Sequence, residues 1–130
     1  MDKVKKETTQ TEHMKSYNLE ERLIDFAVTI IKLADKMPNS YIGKHLQGQL
    51  YRSGTAPALN YGEAQGAESK ADFVHKMRVC LKELRETQIC IKVISRANLI
   101  TAEDVQTVLS ECGKLVAIFT ASLTTAKRKG

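Results

Sequence analysis

The spacing of apolar residues in three segments of the chain limits the fold more than any other sequence feature. In each segment they recur at alternating steps of four and three, which places them along one side of an α-helix. With one threonine among them, they are Leu19, Leu23, Phe26, Ile30, Leu33 and Met37, then Phe73, Met77, Cys80, Leu84, Thr87, Ile91 and Ile94, and then Val105, Leu109, Cys112, Val116, Phe119, Leu123 and Ala126. The spacing predicts three amphipathic helices that share a core.

Capping signals predict the ends of two of these helices. Asn18, with Glu21 three residues later, forms a capping-box pattern that opens the first helix. Pro38 ends it, because proline cannot continue the backbone hydrogen bonds. Ser69 is predicted to cap the start of the helix in the second segment. Asn98 is predicted to end the same helix, because asparagine tolerates the left-handed conformation found at helix ends.

A further helix is predicted between the first two segments, from about residue 39 or 40 to Ala67. Ile42, Leu46 and Leu50 give this helix a core side. Pro57 lies in its middle and predicts either a kink or a split into two helices, because it removes one backbone hydrogen bond.

Four helices with short connections predict an all-α fold, an antiparallel up-down-up-down four-helix bundle. The last helix is predicted to be capped by Thr101 and to end in basic residues. We expect three parts: a mobile basic amino-terminal arm over residues 1–16, the bundle over residues 17–126, and a basic carboxyl-terminal tail over residues 127–130.

The composition is that of one globular domain, with 130 residues of which 42% are hydrophobic and 27% charged. No apolar run approaches the roughly 20 residues of a membrane span, and the first sixteen residues lack the apolar segment of a secretory signal. The three cysteines form no C-x-x-C pair, which is typical of reduced thiols packed in a core. We therefore expect a cytoplasmic protein without membrane contact.

The sequence carries no pattern for catalysis or for a metal. Metal sites in helical bundles usually draw on two Glu-x-x-His pairs, whereas this chain has one Asp72-x-x-His75 pattern, with His13 and His45 distant in sequence. Phosphate-binding glycine loops, zinc-ligand spacing and the G-x-S-x-G nucleophile motif do not occur. We expect no catalytic residue, no metal and no cofactor.

Several apolar residues fall away from the predicted core sides when positions are placed at about 100° per residue. They are Ile24, Val28, Ile31, Ile89 and Ile118. Exposed clusters of this kind tend to mark contacts between proteins, so we predict a homo-oligomer that buries them. The alternative is a wide core side that the amino-terminal arm covers.

Five cations recur along the helix predicted after Ser69, opposite its core side: Arg78, Lys82, Arg85, Lys92 and Arg96. The net charge of +5 permits an anionic partner, and further basic residues lie near both ends of the chain, namely Lys127, Arg128 and Lys129, and Lys3, Lys5 and Lys6. One interpretation is contact with nucleic-acid phosphates. The other, which the spacing alone favours, is a solvated helix face with Glu83 and Glu86 beside it.

Arg52, Asn60 and Glu63 are polar residues close to a run of small residues in the second helix. They either satisfy partners within the bundle or across a subunit contact, or they form a ligand site. The structural interpretation is the favoured one.

Five stretches of the chain match the pattern of a known protein family. Two of them are Q-L-Y-R-S-G-T over residues 49–55 and N-Y-G-E-A over residues 60–64. The others are A-E-S-K-A-D-F over residues 67–73, K-E-L-R-E-T over residues 82–87 and N-L-I over residues 98–100. Over about residues 18–125 the chain resembles the bacterial four-helix-bundle family first named for reading frames within 23S ribosomal RNA intervening sequences. Pro57 departs from the family pattern, which leaves the shape of the second helix open.

The resemblance implies an up-down bundle that assembles as a ring-shaped homopentamer and has a non-enzymatic role, namely binding nucleic acid, RNA rather than DNA. A related branch of the family supplies the accessory proteins of diversity-generating retroelement reverse transcriptases. The resemblance therefore also allows a structural adaptor that docks a partner protein such as a reverse transcriptase. It makes Arg52, Asn60, Glu63 and Glu86 the signature polar positions.

Overall fold

The computed structural model describes the chain from residue 19 to residue 129. Helix α1 covers residues 19–34, α2 Tyr41–Gln65, α3 Lys70–Arg96 and α4 Ala102–Lys129. No strand occurs within these residues, so the predicted all-α fold is confirmed. Helix α4 includes residues 127–129, which were predicted as a separate tail. The predicted arm and the predicted cap at Asn18 lie outside the described residues.

Serine side chains cap α2 and α3. Ser40 Oγ accepts a hydrogen bond from the Gly43 N–H at 3.1 Å, and Ser69 Oγ accepts one from the Asp72 N–H at 3.0 Å. Just after the end of α3, Asn98 adopts the left-handed conformation with φ of 58°. The predicted cap at Ser69 and the predicted end at Asn98 are therefore confirmed.

Helix α2 continues through Pro57 as one helix, so the predicted split into two helices is wrong. Pro57 is buried against α3, where its carbonyl accepts a weak hydrogen bond from Cys80 Sγ at 3.5 Å. Packing on both sides holds the helix together across the missing backbone hydrogen bond. The helix ends at Gln65, two residues before the predicted Ala67.

Side-chain contacts show that the helices follow one another around the core in chain order, each antiparallel to the next. Tyr61 of α2 and Phe119 of α4 meet across the diagonal, edge to face, with ring centroids 6.0 Å apart. The contacts between neighbours include Gln47 Nε2 to the Ala34 carbonyl at 2.9 Å (α2 to α1), Thr87 Oγ1 to Ser53 Oγ at 2.9 Å (α3 to α2), Cys112 Sγ to the Leu84 carbonyl at 3.4 Å (α4 to α3), and Arg22 Nε to Glu111 Oε2 at 2.7 Å (α1 to α4). These contacts are those of the predicted up-down-up-down bundle.

The buried side of α4 is displaced from the predicted line. Val108 and Leu115 are buried, whereas Leu109 and Val116 are only half-buried. The displacement arises because α4 packs between α1, which it meets through Glu111, and α3. Apolar residues flank both sides of the predicted line, so spacing alone could not select the correct side.

The core side of α2 is built largely from small residues. Ile42 was predicted to face the core, but 48% of its surface is exposed, because the buried side of α2 passes through Gly43, Leu50 and Gly54 instead. A Cβ atom at Gly54 would overlap the side chain of Ile30. Helices α1 and α2 therefore approach each other more closely at this point than any larger residue would allow.

Helix α4 is apolar enough, by length and composition, to cross a membrane. Its mean hydropathy reaches 1.2 over an 18-residue window within Ala102–Arg128, and 22% of that window is buried in the bundle. The core helix of a soluble protein has the same composition, and Val105, Cys112 and Phe119 of α4 are fully packed against the other helices. The absence of membrane contact stays a prediction.

We expect Gly54→Ala to lower the free energy of unfolding by about 1–3 kcal/mol, because the new methyl group overpacks the contact with Ile30. The matched control is Gly62→Ala in the same helix, where no atom lies within 4 Å of the new Cβ. Removing that exposed helical glycine should stabilise the protein by up to about 1 kcal/mol. Urea unfolding at equal protein concentration measures both, and equal stability of the two variants would contradict the close approach.

Candidate functional site

Arg52 lies at the centre of a polar cluster between α2 and α3. Its Nη1 donates to Glu83 Oε2 at 2.9 Å and its Nη2 donates to Glu86 Oε2 at 2.7 Å. Nη2 also contacts Gln49 Oε1, one helical turn away, at 3.3 Å. One guanidinium thus bridges two carboxylates of the neighbouring helix, as the planar donor geometry of arginine favours.

The two carboxylates of this Arg52 cluster have different environments. Burial raises the pKa of Glu83, whose side chain is 9% exposed, and Arg52 opposes that rise. The hydrogen bond from Arg52 lowers the pKa of the more exposed Glu86. The cluster therefore holds a buried charge at the α2–α3 contact with the help of a cation that is half-exposed to water.

The four predicted signature positions do not meet at one site. Arg52 and Glu86 are bonded to each other, whereas Glu63 pairs with Lys76 at 3.3 Å and Asn60 Nδ2 donates to the Ala56 carbonyl of its own helix. Within residues 19–129, every buried side-chain nitrogen and oxygen has a hydrogen-bond partner. These contacts favour the structural interpretation of the signature residues over a ligand site.

Sequence reasoning missed Glu83 as the second partner of Arg52. Glu83 immediately precedes Leu84 on the core side of α3, and Glu86 follows three residues later, so both point toward α2. It also missed the buried hydroxyl pair formed by Ser53 and Thr87. The available signal was the polar Thr87 at a core position of the heptad spacing.

The five predicted cations Arg78, Lys82, Arg85, Lys92 and Arg96 all lie exposed on the outer side of α3. We call them the cation stripe. None of them forms an ion pair with a residue in the described range 19–129. Glu83 and Glu86, which were predicted to lie beside the stripe, bond to Arg52 instead. Both carboxylates still interact electrostatically with Lys82, so the stripe keeps acidic neighbours although it forms no ion pair of its own in this range.

A groove of about 840 Å³ lies between α2 and α3, and part of the cation stripe lines it. Arg78, Lys82 and Arg85 line this α2–α3 groove, and Lys92 and Arg96 lie beyond it. The remaining lining is mainly apolar: Leu46, Leu81, Ile89, Cys90 and Val93, with His45, Gln49, Ser53 and Glu86. The groove thus combines an apolar floor with a basic edge.

A second groove, of about 620 Å³, lies between α3 and α4 and shares Arg78 and Leu81 with the first. It brings Lys127, one of the predicted basic residues near the end of the chain, close to Lys70. Arg128 is exposed in the same last turn of α4, and the side chain of Lys129 lies outside the described part of the chain. These basic residues therefore lie at one end of the bundle, where α3 begins and α4 ends, and Arg96 lies at the other end of α3.

Ile24, Val28 and Ile31 form a line on the outer side of α1, with 40–44% of each residue exposed. We call this line the α1 stripe. Ile89 on α3 is 59% exposed, whereas Ile118 on α4 is half-buried and offers little free surface. The α1 stripe and Ile89 thus remain candidates for contact with another molecule.

The described residues hold no group of three or more His, Cys, Asp or Glu side chains that could bind a metal ion. His45 and His75 are exposed on different helices, and His13 lies outside the described range. Burial raises the pKa of both Cys80 and Cys112 to about 12, which keeps these thiols protonated and unreactive.

The chain is similar to known proteins in both sequence and fold. Residues 15–121 match a family model described as 23S rRNA-intervening sequence protein. The chain is also similar to a crystal structure of a protein with unknown function from the S23 ribosomal protein family of Bacteroides thetaiotaomicron VPI-5482. The two chains are 28% identical, with a TM-score of 0.75 over 80% of this chain and 96% of that one. No curated protein matches the chain.

We expect Arg52→Met to lower the free energy of unfolding by about 1–2 kcal/mol near neutral pH, because Glu83 then stays buried without its cation. Loss of Arg52 should raise the pKa of Glu83 further above its ordinary value in the folded protein. The loss of stability relative to the parent protein should therefore grow as the pH rises above the ordinary carboxyl range and shrink as Glu83 becomes protonated. Urea unfolding over a series of pH values measures the deficit.

The matched controls are Glu83→Gln alone and the double variant Arg52→Met/Glu83→Gln. A neutral amide at position 83 needs no cation, so the double variant should recover most of the stability that Arg52→Met loses at neutral pH. A deficit that stays the same in the double variant would mean that Arg52 stabilises the protein through Glu86 and Gln49 and not through Glu83.

Proposed function

The chain belongs to the 23S rRNA-intervening sequence protein family, and from that premise we propose a non-catalytic, homo-oligomeric bundle that binds nucleic acid, RNA in preference to DNA. The observation that carries the proposal is the cation stripe. Arg78, Lys82, Arg85, Lys92 and Arg96 lie within 19 residues of one helix, roughly 27 Å from first to last, without an ion pair in the described range. Such a row suits the phosphates of a nucleic-acid backbone.

The binding mode we propose is backbone contact without base recognition. The α2–α3 groove beside the stripe is lined by no Phe, Tyr or Trp, and the imidazole of His45 is its single ring on which an unpaired base could stack. Arginine and lysine contacts to phosphates position a nucleic acid but do not read its sequence. The preference for RNA rests on the family description, which refers to an intervening sequence of 23S rRNA.

The assembly we propose is a ring of identical copies, five of them according to the family resemblance. The α1 stripe supports self-association, because three branched aliphatic residues in one line on a helix are more than scattered surface residues. A ring would also repeat the cations of each copy around one axis, so that several copies could hold one nucleic acid.

The absence of catalysis in this proposal is supported by the way the polar side chains are used. The Arg52 cluster joins two helices, and the buried thiols of Cys80 and Cys112 are held protonated. The thiols of Cys80, Cys90 and Cys112 bond to backbone carbonyls and not to a basic side chain. The proposed location is cytoplasmic, where nucleic acid is available.

A second candidate function is a structural adaptor that docks a partner protein such as a reverse transcriptase. The apolar floor of the α2–α3 groove, with Leu46, Leu81, Ile89 and Val93, favours it. Contact through apolar surface would depend weakly on salt, whereas phosphate contact depends on salt steeply. Salt dependence therefore separates the two candidates.

We expect the protein to bind a labelled RNA hairpin with an affinity that falls steeply between about 50 and 200 mM salt. Lys92→Ala/Arg96→Ala should weaken binding several-fold. The slope of the logarithm of the binding constant against the logarithm of the salt concentration should become shallower by about one unit for each phosphate contact that is lost. Both residues lie outside the α2–α3 groove, so the variant leaves that surface intact. Fluorescence anisotropy measures the affinity, with a DNA hairpin of the same sequence in parallel.

The matched control is Lys44→Ala/Lys114→Ala, which removes two exposed lysines from α2 and α4, away from the stripe. It should bind RNA nearly as tightly as the parent protein. If the parent does not bind the RNA hairpin, or binds it without salt dependence, the nucleic-acid proposal is wrong. Equal weakening by both double variants would show that only net charge matters.

A further inference from the structure

We propose that the α2–α3 groove of one copy receives the α1 stripe of the next copy, with acidic residues of α1 against the basic edge of the groove. The inference rests on the homo-oligomer of the proposed function and names the two surfaces that meet in it. The occupant of the groove is thus a second copy of this chain.

The α1 side of this contact is apolar with an acidic border. Ile24 and its partners in the α1 stripe are about two-fifths exposed. Glu20, Glu21 and Asp25 lie exposed around the beginning of the stripe, and none of them forms an ion pair within residues 19–129. This surface requires a partner that offers both apolar area and cations.

The α2–α3 groove offers that combination on the same chain. Leu81, Ile89 and Val93 supply its apolar lining on α3, and Arg78 and Lys82 lie beside them without ion pairs in the described range. A nucleic acid would pair with the cations but would leave the apolar floor of the groove facing phosphates and sugars. The charge and the apolar area together favour a protein surface as the occupant.

The two surfaces also agree in height along the bundle. Gly54 of α2 packs on Ile30 of α1, and its neighbour Ser53 bonds to Thr87 of α3, so Ile30 and Thr87 lie at about the same level. Helices α1 and α3 run in the same direction, because each is antiparallel to α2. Residues equally far from Ile30 and from Thr87 are therefore level with each other.

Counting along both helices from these reference residues pairs acids with cations and aliphatic residues with aliphatic residues. Glu21 and Arg78 are each nine residues before the reference, and Asp25 and Lys82 are each five before it. Ile24 and Leu81 are each six before it, while Ile31 follows by one residue and Ile89 by two. When Ile30 and Thr87 are placed at the same level, two acids of α1 are level with two cations of α3, and aliphatic residues of the two helices are also level or nearly so.

Rotation about an axis parallel to the helices preserves this agreement, because it moves no residue up or down. Helices α1 and α3 flank α2 on opposite sides, so each copy presents its α1 stripe to one neighbour and its groove to another. A contact between two different surfaces of this kind closes into a ring when the rotation between copies closes. The self-contact takes Arg78 and Lys82 and leaves Lys92 and Arg96 to the RNA.

The test uses charge reversal on exposed residues, with oligomer mass read by sedimentation equilibrium. We expect the parent protein to be oligomeric, and Arg78→Glu/Lys82→Glu to shift it to the 14.5 kDa single chain, because acidic surfaces then face each other. Glu21→Lys/Asp25→Lys should dissociate it in the same way. The quadruple variant carrying both reversals should return to the oligomer, since attraction is restored with the signs exchanged.

Two controls accompany these variants. Lys92→Ala/Arg96→Ala should stay oligomeric, because neither residue lines the groove. Far-UV circular dichroism should show unchanged helix content in every variant. If Glu21→Lys/Asp25→Lys fails to fold, the Arg78→Glu/Lys82→Glu variant still tests the groove by itself.

The other outcomes of the experiment distinguish failure of this contact from failure of the proposed oligomer. An oligomer that survives both reversals overturns this contact and leaves the proposed homo-oligomer standing, for example as a dimer joined through the α1 stripe alone. Dissociation without recovery in the quadruple variant shows that the two surfaces do not meet each other. A monomeric parent overturns both the oligomer and the contact. An Arg78→Glu/Lys82→Glu variant that stays oligomeric but no longer binds the RNA hairpin makes RNA the occupant of the groove.

Discussion

The close approach of α1 and α2 is the constraint on which the rest of the bundle depends. Gly54 leaves room for the side chain of Ile30, which packs directly on the backbone of α2. The neighbouring Ser53 is then close enough to α3 to bond Thr87 inside the core. Gly54 and Ser53 together therefore relate the levels of α1 and α3 through their contacts with α2.

Polar residues at the α2–α3 contact bond to one another across the two helices. The guanidinium of Arg52 compensates the buried charge of Glu83, whose removal from water would otherwise be costly. A buried group that is satisfied within the chain offers no free donor or acceptor to a substrate. The contacts proposed above therefore use the outer surfaces of the helices.

Those outer surfaces divide into two kinds. The α1 stripe and the floor of the α2–α3 groove are apolar, and apolar area gains free energy when another protein covers it. The part of the cation stripe beyond the groove is purely charged, and charge without apolar area suits a partner that keeps much of its hydration, such as a nucleic-acid backbone. A ring of copies would join these two uses, because self-association collects the remaining cations of every copy on one assembly.

The sequence by itself determined the four helices, the cap at Ser69 and the outward position of the cations on α3. Each of these depends on the period of one helix and on short-range hydrogen bonds, which spacing reveals. Only the tertiary structure decided that Val108 and not Leu109 is buried, that Glu83 binds Arg52, and which cations line the groove. These facts depend on how far apart neighbouring helices lie and on their relative heights, and the residues that set both are distant from one another in the chain.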